Sequence, residues 1–277
     1  GLKRLLELVP AEQIGYEACG SWDLLESNEH ISSDFLAYLN KEIQKITGLS
    51  SCYTADHEML KKSGLHGFNF AFKNLLEGSI QTDQLIDSLH ASCITKGIKF
   101  LFGTTVKEID SGEILTPFGT FKANQIVVCT NGFASQLLPL SVTPARAQVL
   151  VTTPIEDLAI HGTFHFDDGY YYFRNVGNRV LFGGGRNLDF TGEQTASMEH
   201  TPRIQNHLIS LLQTNILPGK TFDIAYQWAG TMGLGSSKKP IIERIDCHTV
   251  VGVRMGGMGV AIGALVGEKL SNMVMNE

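Results

Sequence analysis

The residue types best placed to do chemistry sit in a glycine-rich turn, Arg254-Met255-Gly256-Gly257-Met258-Gly259. The apolar run Thr249–Val253 before it reads as a short buried strand, and the residues after it as a helix running to the end of the chain. Strand, turn and helix start together form an anion site, because free backbone N–H groups and the helix dipole face whatever lies over the turn. Gly257, Gly259 and Gly263 imitate a dinucleotide fingerprint. Too little sequence follows Gly263 for the second strand of a βαβ unit and its acidic ribose ligand about 20 residues on. The turn is therefore expected to close a ligand site rather than to open one.

Other candidates carry a bland reading beside the chemical one. Val127-Val128-Cys129-Thr130-Asn131-Gly132 is a strand breaking into a small polar turn, where a phosphate or an adenine could approach the backbone. By itself the hexamer is more simply an ordinary strand-to-helix connection. Gly183-Gly184-Gly185-Arg186 lacks the Lys-Ser/Thr of a phosphate loop, so a strand-end twist or close backbone approach is expected. In Tyr170–Arg174, strand alternation puts Tyr171 and Phe173 on one face and Tyr170, Tyr172 and Arg174 on the other. One face could line an aromatic pocket, or the run could be sheet core and edge. His161 and His165 have no third ligand nearby, so no metal site is expected. No G-x-S-x-G elbow supports covalent hydrolysis. Gly259, Gly263 and Gly267 recur at four-residue spacing on the final helix, each costing about 1 kcal/mol relative to alanine. Packing on a sheet would explain Gly263 and Gly267; ligand approach better explains Gly259.

The elements that must position these residues follow from periodicity. Leu2–Val9 reads as a short helix stopped at Pro10, and Ile14–Leu25 as a strand pair turning near Gly20. Ser32 or Ser33 could cap a helix ending at Gly48, and Thr82 one ending at Gly97. Short strands are expected at Ile98–Phe102, Val106–Ile109 and Ile126–Cys129, with a hairpin at Glu113–Phe121. From Val142 the pattern becomes that of a mainly antiparallel sheet. A polar helix near Arg203–Gln213 and a strand at Phe222–Trp228 complete it. The expected class is α/β (α+β): a Rossmann-like layer from residues 80–140 and 228–277, and a substrate layer from 1–79 and 141–227.

Composition narrows the classes of function. The 277 residues are 43% hydrophobic and 18% charged, enough for substantial cores. A net charge of −6 without a basic cluster argues against nucleic acid as a partner. Five cysteines without C-x-x-C spacing suit a reducing compartment rather than a disulfide framework. No run approaches the roughly 18–20 apolar residues of a membrane span, and a cytoplasmic location is expected.

Taken together, the pieces resemble the D-amino-acid oxidase and glycine oxidase superfamily of FAD-dependent oxidoreductases. The segments carrying the resemblance occur in family order: Gly78–Phe100, Gly103–Ile109, Ile126–Gly132, Val142–Val151, Tyr172–Gly185, Trp228–Gly233 and Val251–Gly267. The resemblance implies FAD as cofactor, with the backbone of Val106 at the adenine. It places Thr130, Asn131 and Gly132 near the adenosine and pyrophosphate. The Gly256–Gly259 turn, with Gly257, Met258, Gly259 and Val260, would meet the pyrimidine edge of the flavin. The implied reaction is hydride transfer from an amine-bearing carbon, followed by hydrolysis of the imine.

Two departures from the family pattern shape the expectations. The family's N-terminal G-x-G-x-x-G unit is not present in Gly1–Glu277, so an upstream segment or a separate chain is expected to supply it. The alternative is a non-catalytic subunit or inactive remnant acting through protein contacts. Amino-acid-oxidising members usually carry a carboxylate-clamping arginine where this chain has Met232, and glycine-oxidase-like members another where it has Gly257. Trp228-Ala229-Gly230-Thr231-Met232-Gly233 is closer to the gamma-glutamylputrescine oxidase branch, which oxidises amines. Tyr172, Arg174, Trp228 and Met232 are then the implied pocket residues for a small amine or amino acid.

Overall fold

The computed structural model describes residues 1–26 and 33–275. In chain order its helices are α1 (Leu2–Leu8), α2 (Ser33–Thr47), α3 (His57–Ser63), α4 (Thr82–Thr95), α5 (Pro202–Leu211) and α6 (Gly259–Met275). The strands are β1 (Ser21–Glu26), β2 (Tyr53–Ala55), β3 (Phe68–Asn74), β4 (Glu108–Asp110), β5 (Glu113–Thr116), β6 (Gly119–Lys122) and β7 (Ile126–Val128). They continue as β8 (Thr143–Thr152), β9 (Thr163–Phe166), β10 (Tyr171–Val176), β11 (Arg179–Gly184), β12 (Ile224–Leu234), β13 (Ile241–Arg244) and β14 (Thr249–Val253).

One eight-stranded sheet runs β12-β8-β11-β10-β9-β1-β3-β2, antiparallel except where β1 and β9 run parallel. Across β9, β10 and β11 its inner face is apolar at alternate residues. Leu24, Leu150, Phe164, Phe166, Phe173 and Phe182 are buried there with Ile204, Leu208, Leu212 and Ile216 of the α5 region. The last four recur at four-residue intervals, the stripe a helix needs to lie on a sheet. Each such side chain contributes about 1.5–3 kcal/mol on burial. Tyr171 and Phe173 face this core, leaving Tyr172 on the opposite, open face.

A second sheet, β13-β14-β7, holds β14 at its centre with all five residues buried. Helix α6 covers it through Val266 and Leu270. A Cβ on Gly252 would lie 2.4 Å from Leu270 Cδ1, so a larger residue there would have to displace the Leu270 side chain. The hairpin strands β4-β5-β6 form a third sheet. Residues Leu5, Val9, Ile14 and Leu85 make a separate small core where α1 meets α4.

Several local expectations differ from the fold. Within Ile14–Leu25 only β1 is a strand; the preceding residues form a 3-10 turn and one isolated bridge, Glu17 to Ser79. Ile98–Phe102 is not a strand, and its apolar side chains stand exposed. β-Branched composition favours a strand only where a neighbour completes the hydrogen-bond ladder. Gln81, not Thr82, is the N-cap residue of α4. The proposed Ser32 or Ser33 cap lies outside the described residues and side chains. β12 spans residue 228 and belongs wholly to the eight-stranded sheet.

Candidate functional site

A cavity of about 1120 Å³ opens between the large sheet and the glycine turn. Tyr170, Tyr172, Gly184 and Arg186 line it from the sheet side, Met232–Lys238 from the end of β12, and Arg254–Met258 from the turn. Two chain segments remote in sequence meet here, at the end of β12 that carries Met232 and Gly233. Gly256 N–H donates to Gly233 O at 3.0 Å, bridging β12 to the turn.

The Thr130-Asn131-Gly132 turn locks this junction from behind. Asn131 adopts a positive φ of 42°, and its Oδ1 accepts Met255 N–H at 3.0 Å. A Cβ on Gly132 would lie 2.7 Å from Met232 O. Glycine is therefore what allows β12 to pass so close to the turn. Asn131 and Gly132 hold the cavity wall rather than lining it.

Among the described residues, the N–H groups of Gly259, Val260 and Ala261 at the start of α6 donate to no backbone carbonyl, and neither does Gly257 N–H. Four free donors at the positive end of a helix dipole suit the electron-rich edge of a planar ring. Gly257 keeps the approach clear: a Cβ there would meet only Met232 Sδ, at 3.7 Å. On α6 itself, Cβ atoms at Gly263 and Gly267 would meet nothing within 4 Å. Sheet packing therefore does not explain those two glycines.

Strand register sets the open face of the large sheet. Trp228, Val149, Gly183, Tyr172, His165 and Asp23 stand opposite one another in a single row across β12, β8, β11, β10, β9 and β1. The Tyr172 ring lies across Gly183, where an added Cβ would come within 2.7 Å of its hydroxyl. Burial pushes the Tyr172 phenol above its ordinary value, so it stays a neutral hydrogen-bonding group at neutral pH. His165 Nδ1 pairs with Asp23 Oδ1 at 3.0 Å. Among the described residues no cluster of metal-ligating side chains forms.

Of the residues singled out in the sequence, Tyr172, Met232, Gly256, Gly257 and Met258 line the cavity. Trp228 shares the sheet face but lies outside the lining. Arg174 points elsewhere: its Nη1 donates to Ile80 O at 2.6 Å, and burial pulls its guanidinium below its ordinary value. Val106 lies in the irregular segment before β4, and Thr130 is exposed in its turn; neither lines the cavity. Gly259 and Val260 form the first turn of α6 beside it. Sequence reasoning did not name Arg186 or Lys238 as pocket residues, whereas Tyr170 lay on a strand face offered as a pocket wall and Arg254 in the glycine turn. The glycine triplet before Arg186 was the available signal for that residue.

A sheet face and a glycine turn at a helix start thus close over one cavity. The family model for FAD-dependent oxidoreductases (DAO) matches residues 1–273, and the chain belongs to that family. Among solved structures it is similar to the L-proline dehydrogenase of P. horikoshii, with 20% identity over 99% of this chain and 78% of that one, at a TM-score of 0.79. Glycine oxidase from Geobacillus kaustophilus matches at 19% identity, 100% and 78% coverage and a TM-score of 0.81. Iminodiacetate oxidase from a Chelativorans strain matches at 19%, 99% and 76%, with a TM-score of 0.71. At these identities the likeness establishes the fold. The comparison with curated proteins returns no match. No helix among the described residues is long and apolar enough to cross a membrane.

Proposed function

We propose that this chain oxidises a carbon–nitrogen bond of a small amine or amino acid with FAD as its cofactor. The carrying observation is the cavity that places Tyr172 and Met232 of the sheet opposite Gly256, Gly257 and Met258 of the turn. The four free N–H groups at the start of α6 and the clear approach over Gly257 fit the pyrimidine edge of a flavin. When bound, the flavin supplies the hydride acceptor for an amine-bearing carbon.

The chain's own residues do the remainder. The N–H groups of Gly257, Gly259 and Val260 favour negative charge at the edge they face. Tyr172, fixed on Gly183, offers a neutral hydroxyl to orient the substrate. Met232, Leu234 and Met258 give the cavity an apolar wall that excludes water from a neutral amine. No described side chain in the lining is arranged as a dedicated acid–base pair, which suits a reaction resting on orientation. The relatives' printed substrates are amino acids or related compounds, in keeping with this reading. The rival, a non-catalytic protein on the same scaffold, has no observation in its favour.

Colour tests the proposal. The full-length gene product, reconstituted with FAD, is expected to absorb near ~450 nm and to bleach anaerobically when a suitable amine is added. A product that stays colourless, or that no amine or amino acid bleaches, would sink it.

A further inference from the structure

We propose that His165, oriented by Asp23, accepts the proton that a protonated amine sheds before its carbon–nitrogen bond is oxidised. This inference rests on reading the neighbouring cavity as an amine-oxidising site. At neutral pH an aliphatic amine is almost wholly protonated, since its pKa lies near ~10. An ammonium nitrogen has no lone pair to support loss of hydride from the carbon beside it. The cavity wall holds no imidazole, but the strand next to Tyr172 does.

Tyr172 of β10 and His165 of β9 stand directly opposite in an antiparallel ladder, which sets their Cβ atoms about 5 Å apart on the open face. Their side chains diverge. The phenol leans over Gly183 of β11, and the imidazole turns to β1, where its Nδ1 lies 3.0 Å from Asp23 Oδ1. A strip of sheet face between them is covered by neither ring and lies beside the cavity that Tyr172 lines. One water on that strip carries a proton from the cavity to the imidazole.

Asp23 selects the tautomer that a base needs. With Nδ1–H donated to the carboxylate, Nε2 keeps its lone pair, and it has no protein partner among the described residues. The groups around the imidazole are Asp23 on β1, Glu77 after β3, Tyr172 on β10 and, beyond Asp23, Tyr53 on β2. Arg174, further along β10, is committed to Ile80 O, and Asp167, just after β9, to Asn187. Burial opposes charge on the ring, yet the bond and charge of Asp23, with Glu77 adding to them, raise its pKa above the ordinary value. The side chain is 30% exposed, so the proton passes on to solvent. The step balances: an ammonium N–H bond breaks, its electron pair stays on nitrogen, and the proton bonds to Nε2. Neutral amine and imidazolium are the products.

Anaerobic bleaching of the full-length, FAD-loaded protein by a saturating amine, timed from pH ~6 to pH ~10, tests this. Wild type should slow only as pH falls through the raised His165 pKa. His165→Gln should bleach about 100-fold more slowly at pH ~7 and close the gap by pH ~10, where solution supplies the neutral amine. Asp23→Asn should move the acid limb to lower pH, because burial is then opposed by Glu77 alone. Nitrogen NMR of histidine-labelled protein reads the dyad without turnover. The resonances absent from His165→Gln should report the Nδ1–H tautomer and titrate above ~6.5. Where His165→Gln does not fold, Asp23→Asn gives both the limb shift and the assignment. A His165→Gln deficit equal at every pH, an unmoved limb in Asp23→Asn, or an Nε2–H tautomer overturns the proposal. A protein that no amine bleaches removes the oxidase reading and this role together, whereas bleaching indifferent to His165 removes this role alone.

Discussion

The side-chain oxygen of Asn131 accepts the backbone N–H of Met255 at 3.0 Å, across a sequence separation of 124 residues. This one bond joins the turn after β7 to the glycine turn before α6, and Gly233 is packed against the same Asn131 oxygen. The wall of the cavity is thus a three-way junction whose hub is a single amide.

Asn131→Ala should loosen that junction. It removes the acceptor for a partly buried N–H, at about 1–3 kcal/mol, and puts alanine at a φ of 42° that it tolerates poorly. Urea unfolding should show that loss, and flavin affinity should fall with it. Asn131→Asp, which keeps the acceptor, should be milder. Unchanged flavin binding in Asn131→Ala would separate the junction from the cofactor site.

Met232→Arg adds a further cation where β12 borders the cavity. Preference for carboxylate-bearing over decarboxylated amines, measured as a ratio of kcat/KM, should rise about 10-fold or more. An unchanged ratio would place residue 232 outside substrate contact.

Arg146 and Glu193 form a buried bidentate pair, exposed by only 7% and 2%, with Nε–Oε2 at 2.9 Å and Nη2–Oε1 at 2.7 Å. It pins the segment carrying Arg186 to β8. Arg146→Met leaves the buried Glu193 carboxylate without a countercharge, with only Gln148 Nε2 among its side-chain donors, and should cost about 3–5 kcal/mol in chemical denaturation. Simultaneous Arg146→Met and Glu193→Leu should recover much of that loss. A single variant as stable as wild type would show that the pair is dispensable.

His165 gives a pH signature. Burial opposes its charged form, but the Asp23 carboxylate outweighs burial and raises its pKa. The stability this brings is complete below the free histidine value of about 6.5 and is lost as pH rises through the raised folded value. The Tm gap between wild type and His165→Gln should therefore be widest near pH ~5 and close toward pH ~9. A gap that grows with pH would mean that the imidazole is held neutral.

Elements governed by short-range pattern were legible in the sequence. The alternation of Tyr170–Arg174 separated core from open face, and the buried run Thr249–Val253 with its glycine turn announced β14 and α6. Ile98–Phe102 misled because its composition suits a strand, while strand formation depends on a partner that composition cannot specify. Arg174 misled for a related reason. Alternation assigned its face correctly, but the Ile80 carbonyl that takes its guanidinium is 94 residues away in sequence.

By itself, then, the sequence determined the family and the glycine turn with its flanking strand and helix, because each is encoded in residue type and local spacing. Only the tertiary structure decided what faces that turn. The contacts that assemble the cavity, Asn131 with Met255, Gly256 with Gly233 and Arg146 with Glu193, join remote segments through strand register and buried hydrogen bonds. Such pairings form only after the sheets have packed, which is why the arginines that reach the cavity, Arg186 and Arg254, do not come from position 232.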